Sequence, residues 1–331
     1  MDSLTQIVLG AAVGEVVLGR KVGNKAMLYG AIAGTIPDLD VFVGNFTDVV
    51  TALEIHRGFS HSFVFAILAA PLLGFFISLY EKKATWREWA WLMFFGFVTH
   101  SLLDAQTTWG TQLFWPFDLR VASKNIFVID PLYTLPLSIG VICAMFQKKS
   151  SAKRKKYNRL GLIISTSYLL LTIVLKGFTY FKFEKAIENQ GITYSEIETK
   201  PTALNSILWS ANVKTTESFL IGYYSLFDTK PIHFSKYPKN HELLGNLKNN
   251  DKIERMAKIS KRWYTISEEN GELYFNDLRY GTLSLKPNAT NFVFSYKIDT
   301  ENGKVYFTEK PKESRDAKML LTELWQRIKG N

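Results

Sequence analysis

The sequence predicts an α-helical membrane domain of about six segments, followed by a small α+β, mainly antiparallel β, extracytoplasmic domain. Three observations lead there. The apolar fraction of the 331-residue chain is an ordinary 47%, but almost all the long apolar runs lie before residue 180. Residues 181–331 are instead polar, with short alternating runs that read as strands. Basic residues gather in three short stretches between the apolar runs, as membrane loops require. The domain expectation is therefore 1–180 in the membrane and 181–331 outside it.

The segments follow in order. Residues 61–80 and 160–178 are long enough to cross a hydrocarbon core of roughly 30 Å. Residues 89–105 and 126–146 are apolar runs with polar groups near one end. Residues 4–19 and 26–37 are shorter and rich in Gly and Ala, which predicts a tight helical hairpin packed on small-residue faces, either spanning or re-entrant. The opening Met1-Asp2-Ser3 lacks the basic start of a cleavable signal peptide. The single cysteine, Cys143, lies within an apolar run and excludes an intrachain disulfide.

The net charge of +10 owes much to Lys148, Lys149, Lys153, Arg154, Lys155, Lys156 and Arg159, which fall within twelve residues. Between apolar segments such a cluster marks a cytoplasmic membrane loop rather than a nucleic-acid surface, and no nucleic-acid partner is expected. Arg20, Lys21 and Lys25 form a second basic loop; Lys82, Lys83 and Arg87 form a third. With six alternating segments all three share one side, and that side is predicted to be cytoplasmic. The opposite side then receives Asp38, Asp40, the 41–60 loop, His100, Asp104, Asp130 and everything after the last span.

That opposite side also collects the chemistry. His56 and His61 bracket a Gly-containing turn, and His100 and Asp104 stand four apart on one helix face. Pro37-Asp38-Leu39-Asp40 ends another apolar run. Imidazoles and carboxylates beside hydrocarbon need partners, and a cation is the usual one. Asp38, Asp40, His56, His61, His100 and Asp104 are the candidate metal ligands. Nitrogen and carboxylate donors suit zinc, and also manganese or iron, as one ion or a pair. Asp38 or Asp40 serves as bridging ligand or general base, and Arg57 and Arg120 are placed to hold phosphate oxygens. Asp130, before Pro131, reads as a helix N-cap. Residues 107–117, with Trp109 and Trp115, read as an interface belt or a substrate wall.

Beyond residue 180, strands are expected over Ile207–Val213, Ser218–Leu226, Glu272–Asp277, Asn291–Ile298 and Lys304–Thr308, with hairpin turns at Asn270-Gly271 and Asn302-Gly303. An amphipathic helix is expected over 314–328. His233 and His241 read as surface residues. No phosphate-binding loop, dinucleotide fingerprint or G-x-S-x-G elbow occurs in the chain.

The stretches MDSLTQIVLGAAVGEVVLGR, GAIAGTIPDLDVF, HRGFSHS, THSLLDAQTTWGTQLFWPF and IDPLYTLPL, in this order over residues 1–146, resemble the YdjM-like family of bacterial inner-membrane, metal-dependent hydrolases. FNDLRYG at 275–281 resembles the outer domain of one branch. In motif order the family is distantly similar to zinc-dependent phospholipase C. The resemblance implies metal roles for Asp38 or Asp40, His56, His61, His100 and Asp104, and an approach of Met1 and Asp2 to the site. Many relatives carry His where this chain has Gln6. The expected function is a membrane-bound, metal-dependent hydrolase at the outer leaflet acting on a phospholipid or other phosphoester amphiphile. The alternatives are a non-enzymatic membrane protein with a structural metal and a partner-binding outer domain, and a transporter. Charges near one end of the spans and the lack of a clear repeat weigh against the transporter.

Overall fold

The computed structural model describes residues 1–311 and 317–331. Contacts divide the chain into two compact units: Met1–Val43, Ile55–Val174 and Ala203–Asn205 form one, and Gly44–Glu54, Leu175–Thr202 and Ser206–Asn331 form the other.

The first unit is helical. Asp2 caps α1 (Ser3–Val22) by accepting from the Thr5 amide, and Gly23, with φ +69°, ends it and starts the turn into α2 (Asn24–Thr35). The two helices form the small-residue hairpin expected. A Cβ placed on Gly10 would stand 2.2 Å from the Gly30 carbonyl oxygen, and one on Gly14 would stand 2.1 Å from that of Ala26. Only glycine permits backbones this close. A 3₁₀ turn, Ile36–Asp40, follows with Pro37 near its start, and leads to a short helix, α3 (Val41–Gly44). After α4 (Val49–Ile55) and a second 3₁₀ turn, Phe59–His61, come α5 (Phe63–Tyr80) and α6 (Trp86–Asp104). Ser62 caps α5, and Thr85 with Glu88 forms a reciprocal capping box on α6.

The helix α7 spans Pro131–Met145, five residues shorter at its start than the 126–146 run. Asp130 is its N-cap, as expected, accepting from the Leu132 amide, with Pro131 in the first helical position. The largest departure is α8 (Ala152–Asn189), which begins eight residues before the expected span. Most of the basic cluster is therefore helix rather than loop, because Lys and Arg are good helix formers and continue an apolar helix without strain. Within the cluster Arg154 is buried and forms a two-pronged ion pair with Glu15 of α1, Nε to Oε1 at 2.7 Å and an η nitrogen to Oε2 at 2.5 Å. It also donates to Asn24 Oδ1 at 2.7 Å. Its further hydrogen bonds offset the cost of burying the pair.

Among the described residues, four helical segments, Ser3–Val22, Asn24–Gly44, Phe63–Tyr80 and Ala152–Asn189, are long and apolar enough to cross a membrane, with Pro131–Met145 a shorter apolar helix. The basic loops meet at one end of these helices: Lys21 pairs with Glu88 at 2.6 Å, Lys25 with Glu81 at 2.5 Å, and Lys149 donates to the Lys21 carbonyl at 3.4 Å.

The second unit contains two four-stranded antiparallel sheets where one was expected. The first runs β1 (Glu196–Pro201), β2 (Leu208–Lys214), β3 (Ser218–Ser225), β4 (Phe234–Pro238); the second runs β5 (Tyr264–Glu269), β6 (Glu272–Thr282), β7 (Phe292–Glu301), β8 (Lys304–Glu309). Strands β1, β4 and β5 are additional to those expected; they are short and bury polar side chains, Thr199 and Lys200, Ser235, and Thr265, alongside Tyr237, Tyr264 and Ile266. At Asn270-Gly271 and Asn302-Gly303 all four residues have positive φ, the twist-matched hairpin turn that Asn-Gly encodes. Val50 is buried in a core with Ile253, Met256 and Ala257 of α9 (Asp251–Ile259) and Ile266, Phe275 and Phe307 of the second sheet. Arg255 grips Glu54 at 2.6 and 3.0 Å. The C-terminal helix is α10 (Ala317–Ile328); residues 314–316 of the expected helix lie outside the described residues.

His241, expected at the surface, stacks on Tyr264 with ring centroids 4.2 Å apart and its Nε2 donates to the Tyr264 carbonyl at 3.1 Å. Burial lowers its pKa from the ordinary 6.5. The unfolded chain therefore binds the proton first, so stability is full above about pH 6.5 and falls as pH drops below it. A His241→Phe variant keeps the stack and should show a flatter decline of second-unit stability between pH 7.5 and 5, read by hydrogen exchange. Gly30→Val drives a side chain into the Gly10 carbonyl 2.1 Å away, and should lower the melting temperature by several degrees in detergent, whereas Gly177→Ala, at an open position of α8, should not.

Candidate metal centre

The ligand-bearing segments lie at the ends of the helices away from the basic loops: the end of α2, the start of α5 and the end of α6. The 3₁₀ turn places Asp38 and Asp40 two residues apart, so they point differently. His100 and Asp104 occupy the last turn of α6, and His61 ends the turn before α5.

One nitrogen or oxygen from each of Asp38, His61, His100 and Asp104 lies within 4.8 Å of the other three. His61 Nε2 is 3.1 Å from His100 Nε2, 3.2 Å from Asp38 Oδ1 and 3.4 Å from Asp104 Oδ2. His100 Nε2 is 3.5 Å from Asp38 Oδ1 and 3.7 Å from Asp104 Oδ2. The side chains of His61 and Asp104 are fully buried, that of His100 is 1% exposed, and that of Asp38 is 21% exposed.

Proton positions follow from the outer partners. His100 Nδ1 lies 2.8 Å from the Gly34 carbonyl, which can only accept, so Nδ1 carries the hydrogen and Nε2 presents a lone pair. His61 Nδ1 faces Ser60 Oγ at 3.0 Å and Asp40 Oδ2 at 3.5 Å. With its hydrogen on that side, its Nε2 is also a lone pair. Four acceptor atoms then converge in a buried space. Asp104 Oδ2 is buried with no hydrogen bond; Arg57 Nε is 3.0 Å away but out of line for one. Nitrogen and oxygen ligands bind zinc at about 2.0–2.2 Å, which sets tetrahedral edges of roughly 3.3–3.6 Å. The separations of 3.1–3.7 Å fit a cation of that kind.

Asp40 and His56 stand beside this group as a pair, His56 Nδ1 to Asp40 Oδ1 at 3.0 Å. Asp40 Oδ2 also accepts from the Arg57 amide at 2.8 Å, and from Ser60 Oγ at 3.3 Å. Arg57 takes a left-handed φ of +57° that turns its amide there, and donates a guanidinium N–H to Thr107 Oγ1 at 2.7 Å. Arg120 donates to the His56 carbonyl at 2.8 Å and so braces the histidine's backbone. Two further groups reach Asp104 Oδ1: Gln6 Nε2 at 2.8 Å and the buried α-amino group of Met1. Gln6 thus contributes to the site as a hydrogen-bond donor to a ligand. The Gly34 carbonyl carried no signal in the sequence, since a backbone acceptor has no residue-type signature.

The YdjM inner membrane protein profile matches residues 1–179. The chain belongs to the YdjM inner membrane protein family. All of the site residues lie within that stretch. The chain is 25% identical over 299 residues to the uncharacterized protein YfhP of Bacillus subtilis (strain 168), covering 85% of this chain and 87% of that protein. It is 38% identical over 100 residues to the inner membrane protein YbcI of Escherichia coli (strain K12), covering 30% of this chain and 57% of that protein. No solved structure matches.

Purified protein should carry a divalent transition metal. His61→Ala, His100→Ala and Asp104→Asn should each lower its occupancy at least tenfold under mild chelation, as lost donors in metal sites do. His56→Ala should retain metal more nearly at the parent level. Elemental analysis of all four decides; equal occupancy throughout would remove the site.

Proposed function

We propose that this protein is a membrane-bound, metal-dependent hydrolase that acts at the outer leaflet on a phosphoester amphiphile, such as a phospholipid. The observation that carries the reading is the buried group of four converging donors with a single partly exposed member, Asp38, and a guanidinium beside it. Asp38, His61, His100 and Asp104 would hold the metal. When bound, such an ion supplies Lewis acidity toward a phosphoryl oxygen and makes a nearby water more acidic.

The chain's own groups fill the remaining roles. Arg57, anchored by Thr107 and facing Asp104, offers guanidinium N–H groups to phosphate oxygens. Asp40 holds the imidazole of His56, which is 27% exposed, in position to accept a proton from water. Asp38 is the alternative acceptor. Phe59, Phe114, Trp115 and Phe117 are 44%, 49%, 38% and 72% exposed, and Phe59 packs on Trp115 at 5.0 Å. Exposed aromatic side chains on these loops suit a lipid–water interface, where an amphiphile would present its head group.

The outer-leaflet assignment rests on charge. The three basic loops gather at one helix end and the site lies at the other, and the positive-inside tendency supports reading the site and residues 181–331 as outside the cytoplasm. Protease added to spheroplasts should then remove the C-terminal unit, while full protection would invert the orientation.

For activity, reconstituted protein with a mixed-lipid panel should release a water-soluble phosphorylated head group. Release should cease on chelation, return on zinc addition, and fall at least a hundredfold in Asp104→Asn and Arg57→Gln. The burial of three donors out of four also favours a second reading, a closed structural metal site. Retained metal without hydrolysis of any lipid in the panel would select it.

A further inference from the structure

We propose that the basic start of α8 is a binding site for the head group of an anionic phospholipid. Ala152, Lys155, Lys156, Arg159, Leu160 and Ile163 line a shallow, open groove of about 410 Å³ along one exposed face of α8. They recur at the three- and four-residue spacing of a single helix face. The three cations fall within one turn and a half, and all are exposed. Among the described residues none of the three forms an ion pair, although Arg154 in the same run is buried against Glu15. Like charges at i and i+4 repel, so this face carries an unfavourable concentration of positive charge that an anion would relieve.

The groove changes character along its length, and this selects the ligand. Its first part offers ammonium and guanidinium groups, while Leu160 and Ile163 are apolar and 42% and 47% exposed. They lead directly into a helix that is apolar enough to span a membrane. A phosphodiester head group would meet Lys155, Lys156 and Arg159 while its acyl chains lie along Leu160, Ile163 and the residues that follow. A nucleic acid or an acidic protein would satisfy the charges but make no use of the apolar half of the groove. The site is independent of the metal centre, since none of its residues belongs to it.

The test uses the full chain in nanodiscs and measures retention of a fluorescent phosphatidylglycerol against a fluorescent phosphatidylcholine. The parent should enrich phosphatidylglycerol. The K155Q/K156Q/R159Q variant should lose that preference by about fivefold per cation, on the order of a hundredfold in all, and 0.5 M salt should weaken it only partly because the apolar contact persists. K155R/K156R, which conserves the charge, should retain it. Unchanged metal content and elution volume show that the variants fold. Equal retention of both lipids by the parent, or equal preference in parent and triple variant, overturns the proposal. So does displacement of phosphatidylglycerol by millimolar inorganic phosphate, which would mean a free-anion site, or by single-stranded RNA, which would mean a nucleic-acid surface.

Discussion

Two imidazole lone pairs and two carboxylates cannot share a buried space without positive charge. Unpaired, each would retain much of its desolvation cost, and the four would repel one another across 3–4 Å in a medium where charges are poorly screened. The helical unit is organised around relieving that conflict. Arg57 and the Met1 amino group stand against Asp104, Gln6 donates to it, and Asp40 supports the histidines from outside. These partners neutralise the edges of the group and leave its centre, where the four acceptors face one another, as a candidate metal-binding position.

The backbone geometry serves the same end. The α1–α2 hairpin closes on Gly10, Gly14, Gly30 and Gly34, and that closeness brings two groups to the site from different helices. Gln6 reaches Asp104 from α1, and the Gly34 carbonyl reaches His100 from the end of α2. A Cβ on Gly34 would stand 2.3 Å from the Gln6 carbonyl oxygen, so a larger residue there would displace both at once. At the opposite end, Arg154 and Glu15 tie α8 to α1. The hairpin is thus held at both ends by polar contacts that its apolar middle cannot supply.

Most of the helical unit was legible because its signals are strong and local: apolar length, the cap at Asp130, and small residues in the first two segments. The ligand types were legible for the same reason, since His and Asp beside hydrocarbon need an explanation whatever the fold. What spacing could not separate was donor from supporter. Six residues were candidates, and the structure draws four into one group and sets Asp40 and His56 against each other beside it. That division depends on the directions of side chains on a 3₁₀ turn, which differ from those of an α-helix. Strands β1, β4 and β5 are short, and polar side chains share their buried positions, Thr199, Lys200, Ser235 and Thr265 beside Tyr237, Tyr264 and Ile266, so no long apolar alternation marks them. The start of α8 was missed because charge density reads as loop wherever the helix continuing it is not yet known.

The Pro37-Asp38-Leu39-Asp40 turn shows why both carboxylates are needed. They approach the same imidazole from opposite edges: Asp38 Oδ1 lies 3.2 Å from His61 Nε2, and Asp40 Oδ2 lies 3.5 Å from His61 Nδ1. The carboxylate at Nδ1 draws the ring hydrogen to that side, and Ser60 Oγ, near both, reinforces it. Nε2 is left as a lone pair turned toward Asp38, His100 and Asp104. A carboxylate on the far nitrogen of a ligating histidine fixes its tautomer and raises its basicity. Asp40 thereby governs the donor character of His61 without joining the group, and the same carboxylate sets the orientation of His56. One short turn therefore determines which nitrogen of His61 faces the group and holds His56 beside it.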